Sequence, residues 1–291
     1  MVDVTVSIVT GGSRELILDC LGSLYQNADG LTLEVIIIDN ARSAGLAEAI
    51  RGRFPDAVVK ANEIREGFSA NHNKVLRVAT GEFVFILNDD TVVHPGALRA
   101  IVSFMRAHPE AGVVGGFLLN PDGTPQYTGK ARPTLLAAAM ISMGLHRIFP
   151  DNPVTAGYYR KKDTYAEVEE VESVNGAAMM VRRDILPKVG LLDDGFFMYC
   201  EDVDYSIRVR EAGYRLYCLA NAKVTHYRGK SGSGRKMVVI YHKSLLRFYR
   251  KHEAKRHFFL INWLVYAALL LRLLIYYARG QVRSAAAAPA A

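Results

Sequence analysis

What this 291-residue chain has little of narrows the field first. Only three cysteines occur, Cys20, Cys200 and Cys218, with no Cys-x-x-Cys pair. That excludes a disulfide framework or a cysteine-based zinc site and suits ordinary thiols in a reducing compartment. No repeat period is visible, so solenoids and arrays are out. The opening residues, Met-Val-Asp, lead straight into strand-like sequence, and no secretory signal is expected. The net charge is +7, yet basic residues are not interleaved with stacking aromatics, which argues against nucleic acid as the partner. An uninterrupted apolar run of about 20 residues, the length of a spanning helix, is also missing. The run 258–271 meets Arg272 and resumes only for 273–277.

What is present fits a folded enzyme-sized domain. Hydrophobic residues make up 50% and charged residues 22%, enough for a sizeable core in one large α/β domain or two modest ones. Apolar runs of strand length stand at 4–10 (VTVSIVT), 33–39 (LEVIIID), 57–60, 81–88 (GEFVFILN) and 113–119. Helical stretches separate them: 14–26 after Ser13 as N-cap, 44–51, 68–79, and 95–107 opened by Pro95. Such alternation predicts a mostly parallel sheet with helices on both faces. Ligands bind such sheets beyond the carboxyl ends of the strands, where Thr10, Asp39 and Asn88-Asp89-Asp90 collect. After 120 the pattern loosens into an apolar helix-like run, 133–149, and a polar stretch, 151–172, holding Arg160-Lys161-Lys162. NGAAMMVRRDIL then reads as a strand entering a short helix, and 216–227 as a strand ending near His226.

Three constellations could do chemistry. Asn88-Asp89-Asp90 offers the oxygen ligands that Mg²⁺ or Mn²⁺ prefers, with phosphates and water completing the shell; the same triplet is also ordinary turn sequence. His226 precedes a Gly/Ser loop carrying Arg228, Lys230, Arg235 and Lys236. That loop reads either as a lid neutralising a diphosphate or as a solvated linker. Glu201, Asp202 and Asp204 crowd the head of a helix, where acids face the positive end of the dipole or one serves as a general base.

The C-terminal region differs in character. Residues 238–257 form a basic amphipathic pattern, followed by the apolar run with basic flanks on both sides. It reads as membrane-associated, spanning or lying in the headgroup layer, against the alternative of a helical pair packed on protein. The expected organisation is a catalytic domain over 1–236, a membrane-associated helical segment over 237–283 and a disordered tail over 284–291.

Several motifs stand in order: VSIVT, EVIIIDN, GFSANHNK, FVFILNDDTVVHPGAL, GVVGGFLLNPDGT, VNGAAMMVRRDIL with GLLDDGFFMYCEDVDYSIRVREAGYRL, and VTHY. Together, across 4–234, they resemble the bacterial family 2 glycosyltransferases of the rhamnosyltransferase-like branch. The resemblance implies an A-type glycosyltransferase fold, a dTDP- or UDP-sugar donor, a divalent cation (Mg²⁺ or Mn²⁺), and inverting transfer by direct attack. It puts Thr10 and Asp39 at the nucleoside, and Asn71, Asn73 and Lys74 toward base, ribose or phosphate. Asn88-Asp89-Asp90 stands for the Asp-x-Asp metal motif with Asp90 the direct ligand, and His226 completes the shell. Asp202 matches the catalytic base; by the chemistry of the residues themselves, Glu201 orients it or the acceptor, Asp204 caps the helix, and Arg228 and Lys230 neutralise the diphosphate. Two positions depart from the family pattern: Asn88 replaces the first motif acid, and Gly11-Gly12 replaces a frequent Tyr-Asn.

The apolar run at 135–145 beside a membrane-associated C-terminus suggests a polyprenyl-linked or cell-surface glycan as acceptor, with Arg160-Lys161-Lys162 for its phosphates, and L-rhamnose is the sugar the branch suggests. Such an enzyme would work at the cytoplasmic face of the bacterial inner membrane, peripheral or held by a single C-terminal anchor. The alternative is a non-catalytic nucleotide-sugar-binding or assembly subunit, for which Asn88 and Gly11-Gly12 are the support. A nucleotidyltransferase would need a stronger glycine-rich basic signature than Gly11-Gly12-Ser13-Arg14.

Overall fold

The computed structural model describes residues 1–126, 129–130, 140, 148–149, 152–153, 166–227 and 235–286. The apolar run 133–149 (but for residues 140, 148 and 149), the triplet Arg160-Lys161-Lys162, and Arg228 and Lys230 of the basic loop lie outside them, as do 287–291. Contacts divide the chain into two compact units, Met1–Phe197 with Glu201–Gly232, and Met198–Cys200 with Ser233–Ala291.

In chain order the first unit contains β1 (Val4–Thr10), α1 (Arg14–Gln26), β2 (Leu33–Asp39), α2 (Leu46–Arg53), β3 (Val58–Ala61) and α3 (Phe68–Leu76). There follow β4 (Phe83–Asn88), β5 (Thr91–Val93), α4 (Ala97–Ala107), β6 (Ala111–Leu119), β7 (Gly129–Lys130), β8 (Val168–Glu170) and β9 (Ser173–Val174). Then come β10 (Ala178–Arg182), the single turn α5 (Leu186–Val189), α6 (Glu201–Glu211) and β11 (Arg215–His226). Nine strands form one mixed sheet in the order β3-β2-β1-β4-β10-β6-β11-β5, with β8 paired on β11. Pairs β1–β2, β1–β4, β2–β3 and β6–β11 are parallel and carry most of the paired length. β10 is inserted antiparallel between β4 and β6. This reversal brings the residues before β10, at its amino end, to the edge where β1, β2 and β4 end.

Alternation along the strands explains the layers. In β4, Phe83, Phe85 and Leu87 point into one core cluster with Ile17, Leu21 and Leu24 of α1 and Leu98, Ile101 and Met105 of α4. Val84 and Ile86 point the other way, into a cluster with Ile185, Tyr205 and Val209. Both faces are therefore covered, as a sheet of this kind requires. Each fully buried aliphatic or aromatic side chain contributes about 1.5–3 kcal/mol.

The second unit contains α7 (Arg235–Phe248), a π-helical turn (Tyr249–Glu253), a 3-10 turn (Ala254–Arg256) and α8 (Phe259–Ala286). The hydroxyl of Tyr249 donates to Asn262 Oδ1 at 2.7 Å, and Asn262 Nδ2 donates to the Ala254 carbonyl at 3.0 Å, closing the bend between the two helices. Within α8, Phe259–Tyr277 is 19 residues long with mean hydropathy 1.9 and none of it buried, sufficient by length and composition to cross a membrane. Arg272, the charge that interrupts the apolar run, has its guanidinium 5.6 Å from the ring centre of Tyr241 on α7. The helix runs to Ala286, past the expected start of the tail at 284.

Candidate active site

Thr10 and Asp39, the last residues of β1 and β2, are register partners, and Asn88 at the end of β4 is level with Val9. Parallel strands thus end together at one edge, where loops are free to shape a site. Each terminal side chain shapes the loop after it. Thr10 Oγ1 accepts from the Gly12 amide at 3.1 Å. The buried Asp39 carboxylate accepts from Ala41 N at 3.0 Å and Ser43 N at 2.8 Å, an Asx-type turn. Beside these turns lies an open pocket of about 290 Å³ lined by Gly11, Asn40, Ala41, Arg42 and Arg65. Neither arginine was among the residues expected from sequence; their signal was weak, one basic residue after each of two strands.

The α3 residues divide in their engagement. Lys74 Nζ reaches Glu66 Oε1 at 2.8 Å and Asn62 Oδ1 at 2.7 Å near the surface. Asn71 is fully buried, donating to the Gly67 carbonyl and accepting from Asn62 Nδ2 at 2.6 Å. Asn73 clasps the Leu192 peptide from both sides, Nδ2 to its carbonyl at 2.8 Å and Oδ1 from its amide at 3.0 Å. The two asparagine amides therefore hold the protein's own backbone and side chains. The helix start is also fixed by Gly67, where an added Cβ would lie 2.6 Å from the Phe197 backbone. That close approach lets Phe68 N donate to the Phe197 carbonyl at 2.7 Å.

Asn88-Asp89-Asp90 forms the turn between β4 and β5. Thr91 Oγ1 donates to the Asn88 carbonyl at 2.7 Å, and Cys20 Sγ of α1 stands behind both at 3.5 Å. Burial pushes the Cys20 thiol up to about 12, so it packs as a neutral group. Asp89 Oδ2 accepts from Gly11 N at 3.2 Å, tying this turn to the one after β1. His226 arrives from the last position of β11, paired with Thr91. Its Nε2 is 3.3 Å from Asp90 Oδ1 and 3.4 Å from Asn88 Nδ2, so the three residues expected around a cation do converge. Asp90 Oδ1 is buried and accepts no hydrogen bond, an unmet oxygen that a cation would satisfy. A carboxylate and an imidazole suit Mn²⁺, and among the described residues no third His, Cys, Asp or Glu joins them. The remaining positions would fall to substrate phosphate and water.

Asp202 sits at the head of α6 with Glu201 buried beside it. Its Oδ1 accepts from Val203 N at 2.8 Å and its Oδ2 from Gly176 N at 3.3 Å. Gly176 immediately precedes Ala177, whose carbonyl accepts from Asn88 N at 3.0 Å. Two short backbone steps thus join the acid at α6 to the Asn88 turn. Ser206 steadies the same helix end, donating to the Asp202 carbonyl at 2.7 Å and accepting from Val174 N at 3.2 Å. Asp204, expected to cap the helix, lies in the first turn of α6 and has a second engagement. It is fully buried and paired with Arg208 Nε at 3.0 Å, while the guanidinium also donates to the Val189 and Leu191 carbonyls at 2.8 Å.

Residues 5–190 match the family described as Glycosyl transferase family 2. The chain belongs to this family. As a family 2 glycosyltransferase it is 25% identical over 254 residues to the N-acetylglucosaminyl-diphospho-decaprenol L-rhamnosyltransferase of Mycobacterium tuberculosis, covering 82% of either chain. It is 24% identical over 235 residues to rhamnosyltransferase WbbL of Escherichia coli, covering 77% of this chain and 83% of that one. Among solved structures it is similar to the mannosyltransferase PcManGT from Pyrobaculum calidifontis in complex with GDP-Man and Mn²⁺. There the TM-score is 0.57 at 20% identity, over 99% of this chain and 76% of that chain. It is also similar to GalNAc-T7 with UDP, GalNAc and Mn²⁺, with a TM-score of 0.62 at 16% identity. That match covers 86% of this chain and 48% of the other, so this glycosyltransferase spans about half of that protein's length. These likenesses show the A-type glycosyltransferase fold.

Proposed function

We propose that this glycosyltransferase moves a sugar, with inversion, from a nucleotide-diphosphate donor to a lipid-linked or cell-surface glycan at the cytoplasmic face of the bacterial inner membrane. The observation that carries the proposal is the placement of Asp202 through Gly176 beside the Asn88-Asp89-Asp90 turn. A carboxylate there is positioned to take the proton from an acceptor hydroxyl as its oxygen attacks the anomeric carbon. The bond from that carbon to the diphosphate breaks, its electron pair leaves with the nucleoside diphosphate, and the configuration inverts. Asp90 and His226 would hold the divalent ion, Mn²⁺ or Mg²⁺, which when bound offsets charge on the departing diphosphate. The pocket by Arg42 and Arg65 supplies cations of its own beside the turns after β1 and β2, fitting a nucleotide there. Thr10 and Asp39 act by shaping those turns.

Rhamnose as the sugar and a polyprenyl-diphosphate glycan as the acceptor find support in the names of the relatives from M. tuberculosis and E. coli. The exposed apolar stretch of α8 supports a membrane-borne acceptor. The direct test is Asp202→Asn, with transfer and donor affinity measured side by side. Transfer should fall about 10²–10⁴-fold while donor affinity stays within about threefold. Equal loss of both would make Asp202 a binding residue, and an unaffected rate would remove it from the reaction. A wild-type chain that binds donor but transfers to no acceptor would be a non-catalytic subunit.

A further inference from the structure

We propose that Gln126 is the positioning residue of His226. It fixes the imidazole in the tautomer protonated at Nδ1 and turns an unprotonated Nε2 toward Asp90 and Asn88. The inference rests on the reading of Asp90 and His226 as cation ligands and goes further, to what makes the histidine a ligand at all. Gln126 follows β6, is 2% exposed, and its amide N donates to the Leu118 carbonyl at 2.7 Å, so its backbone is anchored. Its side-chain nitrogen lies 2.5 Å from the His226 carbonyl oxygen and 3.1 Å from the Leu119 carbonyl oxygen. Both are acceptors only, so the NH₂ end of the amide must face them, and both of its hydrogens are engaged. The amide oxygen is thereby left facing His226 Nδ1 at 3.1 Å.

An amide oxygen only accepts, so the proton belongs on Nδ1; a neutral ring carries one, which leaves a lone pair on Nε2. The far side of the ring agrees. Asn88 Nδ2, a donor, is 3.4 Å from Nε2. Asp90 Oδ1 is 3.3 Å from Nε2 and receives no hydrogen bond, so an unprotonated Nε2 leaves both atoms open to an ion. Two donor atoms held that close are complementary to a cation, and the outer hydrogen bond to Nδ1 orients the ring. Gln126 thus touches neither substrate nor ion; it acts through His226.

The test reads the proton and the ion separately. In metal-free wild-type protein labelled with ¹⁵N-histidine, at a pH where the ring is neutral, His226 should show a protonated Nδ1 and an unprotonated Nε2. A protonated Nε2 there overturns the proposal without any variant being made. Gln126→Leu should give a mixture of tautomers and weaken Mn²⁺ binding, followed by electron paramagnetic resonance with Mn²⁺ alone, about 10–100-fold. Unchanged Mn²⁺ affinity in Gln126→Leu, with affinity lost in His226→Ala, would leave the ligand assignment standing and sink the positioning role. Unchanged affinity in His226→Ala would sink the ligand assignment itself.

Discussion

Around the sheet edge polar groups are turned inward, and along α8 apolar groups are turned outward. Asn71, His72 and Asp204 are 0% exposed and Asn73 is 2% exposed, and each has a defined partner: Asn62, Ser7, Arg208 and the Leu192 peptide. On α8, Trp263 is 71% exposed and Leu264 70%. Burying a polar group costs about 1–3 kcal/mol unless it is hydrogen-bonded, so the first pattern persists only where it holds something in place. What it holds is the frame of the site: the α3 helix, the segment from Val189 to Phe197, and the head of α6. An apolar surface left uncovered in water is unfavourable on a larger scale, so the second pattern supports the reading of α8 as built for lipid. One region positions charges in turns at the sheet edge, and the other exposes a long apolar helix.

The largest break in that comparison should come from Arg208→Leu. It leaves the buried Asp204 carboxylate without its guanidinium and removes the donors to the Val189 and Leu191 carbonyls. Breaking a buried pair in this way costs about 3–5 kcal/mol, read as a lowered midpoint in urea. The double change Asp204→Leu with Arg208→Leu should recover part of the loss, because the stranded charge is gone while the two carbonyls still lack donors. Full stability in the single variant would mean that the pair frames nothing.

Next in size is an acid-labile step at His72. Its ring is enclosed, with Ser7 Oγ at 2.7 Å from Nδ1 and Phe68 against its face, and burial pushes its pKa down to about 3. The unfolded chain takes up the proton near pH 6.5 while the folded one does not until about 3. The stability this neutral histidine allows is therefore present above about pH 6.5 and is lost as pH falls, at about 1.4 kcal/mol per pH unit. Over pH 6.5 to 4.5 that amounts to about 2–3 kcal/mol. His72→Gln should flatten the slope in this window, and an unchanged slope would assign it to other groups.

The two regions were not equally legible. The β-branched runs at 4–10 and 33–39, the acids closing the fourth strand, and the placement of His226 at a strand end are local patterns, and the sheet edge follows from them. Pairings across long stretches of chain leave no local mark. Asn73 meets Leu192 119 residues away, and Gln126 meets His226 100 residues away, because β10 reverses direction and β11 returns beside β5. The resemblance put Asn73 toward the donor without revealing its clasp on Leu192, and Gln126 was not among the expected residues. The burial of Asp204 was hidden for a different reason. Its i,i+4 partner Arg208 was visible in the sequence, but an acid in a first helical turn fits a cap equally well until burial is known. Arg272 was legible as a charge in an apolar run, whereas its approach to Tyr241 was not.

The smallest expected effect on folding belongs to α8 and sharpens the comparison most. Leu264 is 70% exposed, so Leu264→Arg adds a charge where no protein side chain is displaced. Surface changes of this kind alter stability by about 0.5 kcal/mol or less, and the urea midpoint of the detergent-solubilised protein should stay where it is. Within a bilayer the same arginine near the middle of a helix costs about 2.5–3.5 kcal/mol, so the membrane-bound fraction on anionic vesicles should drop sharply. Arg272 already carries one such charge, and its position 5.6 Å from the Tyr241 ring shows how this unit accommodates a cation beside apolar sequence. Leu264 lies two turns earlier, on an exposed part of the same helix. A lowered midpoint with unchanged vesicle binding would reverse the argument: α8 would then be covered by protein, and the outward-facing apolar residues would mark a subunit contact in place of a lipid one.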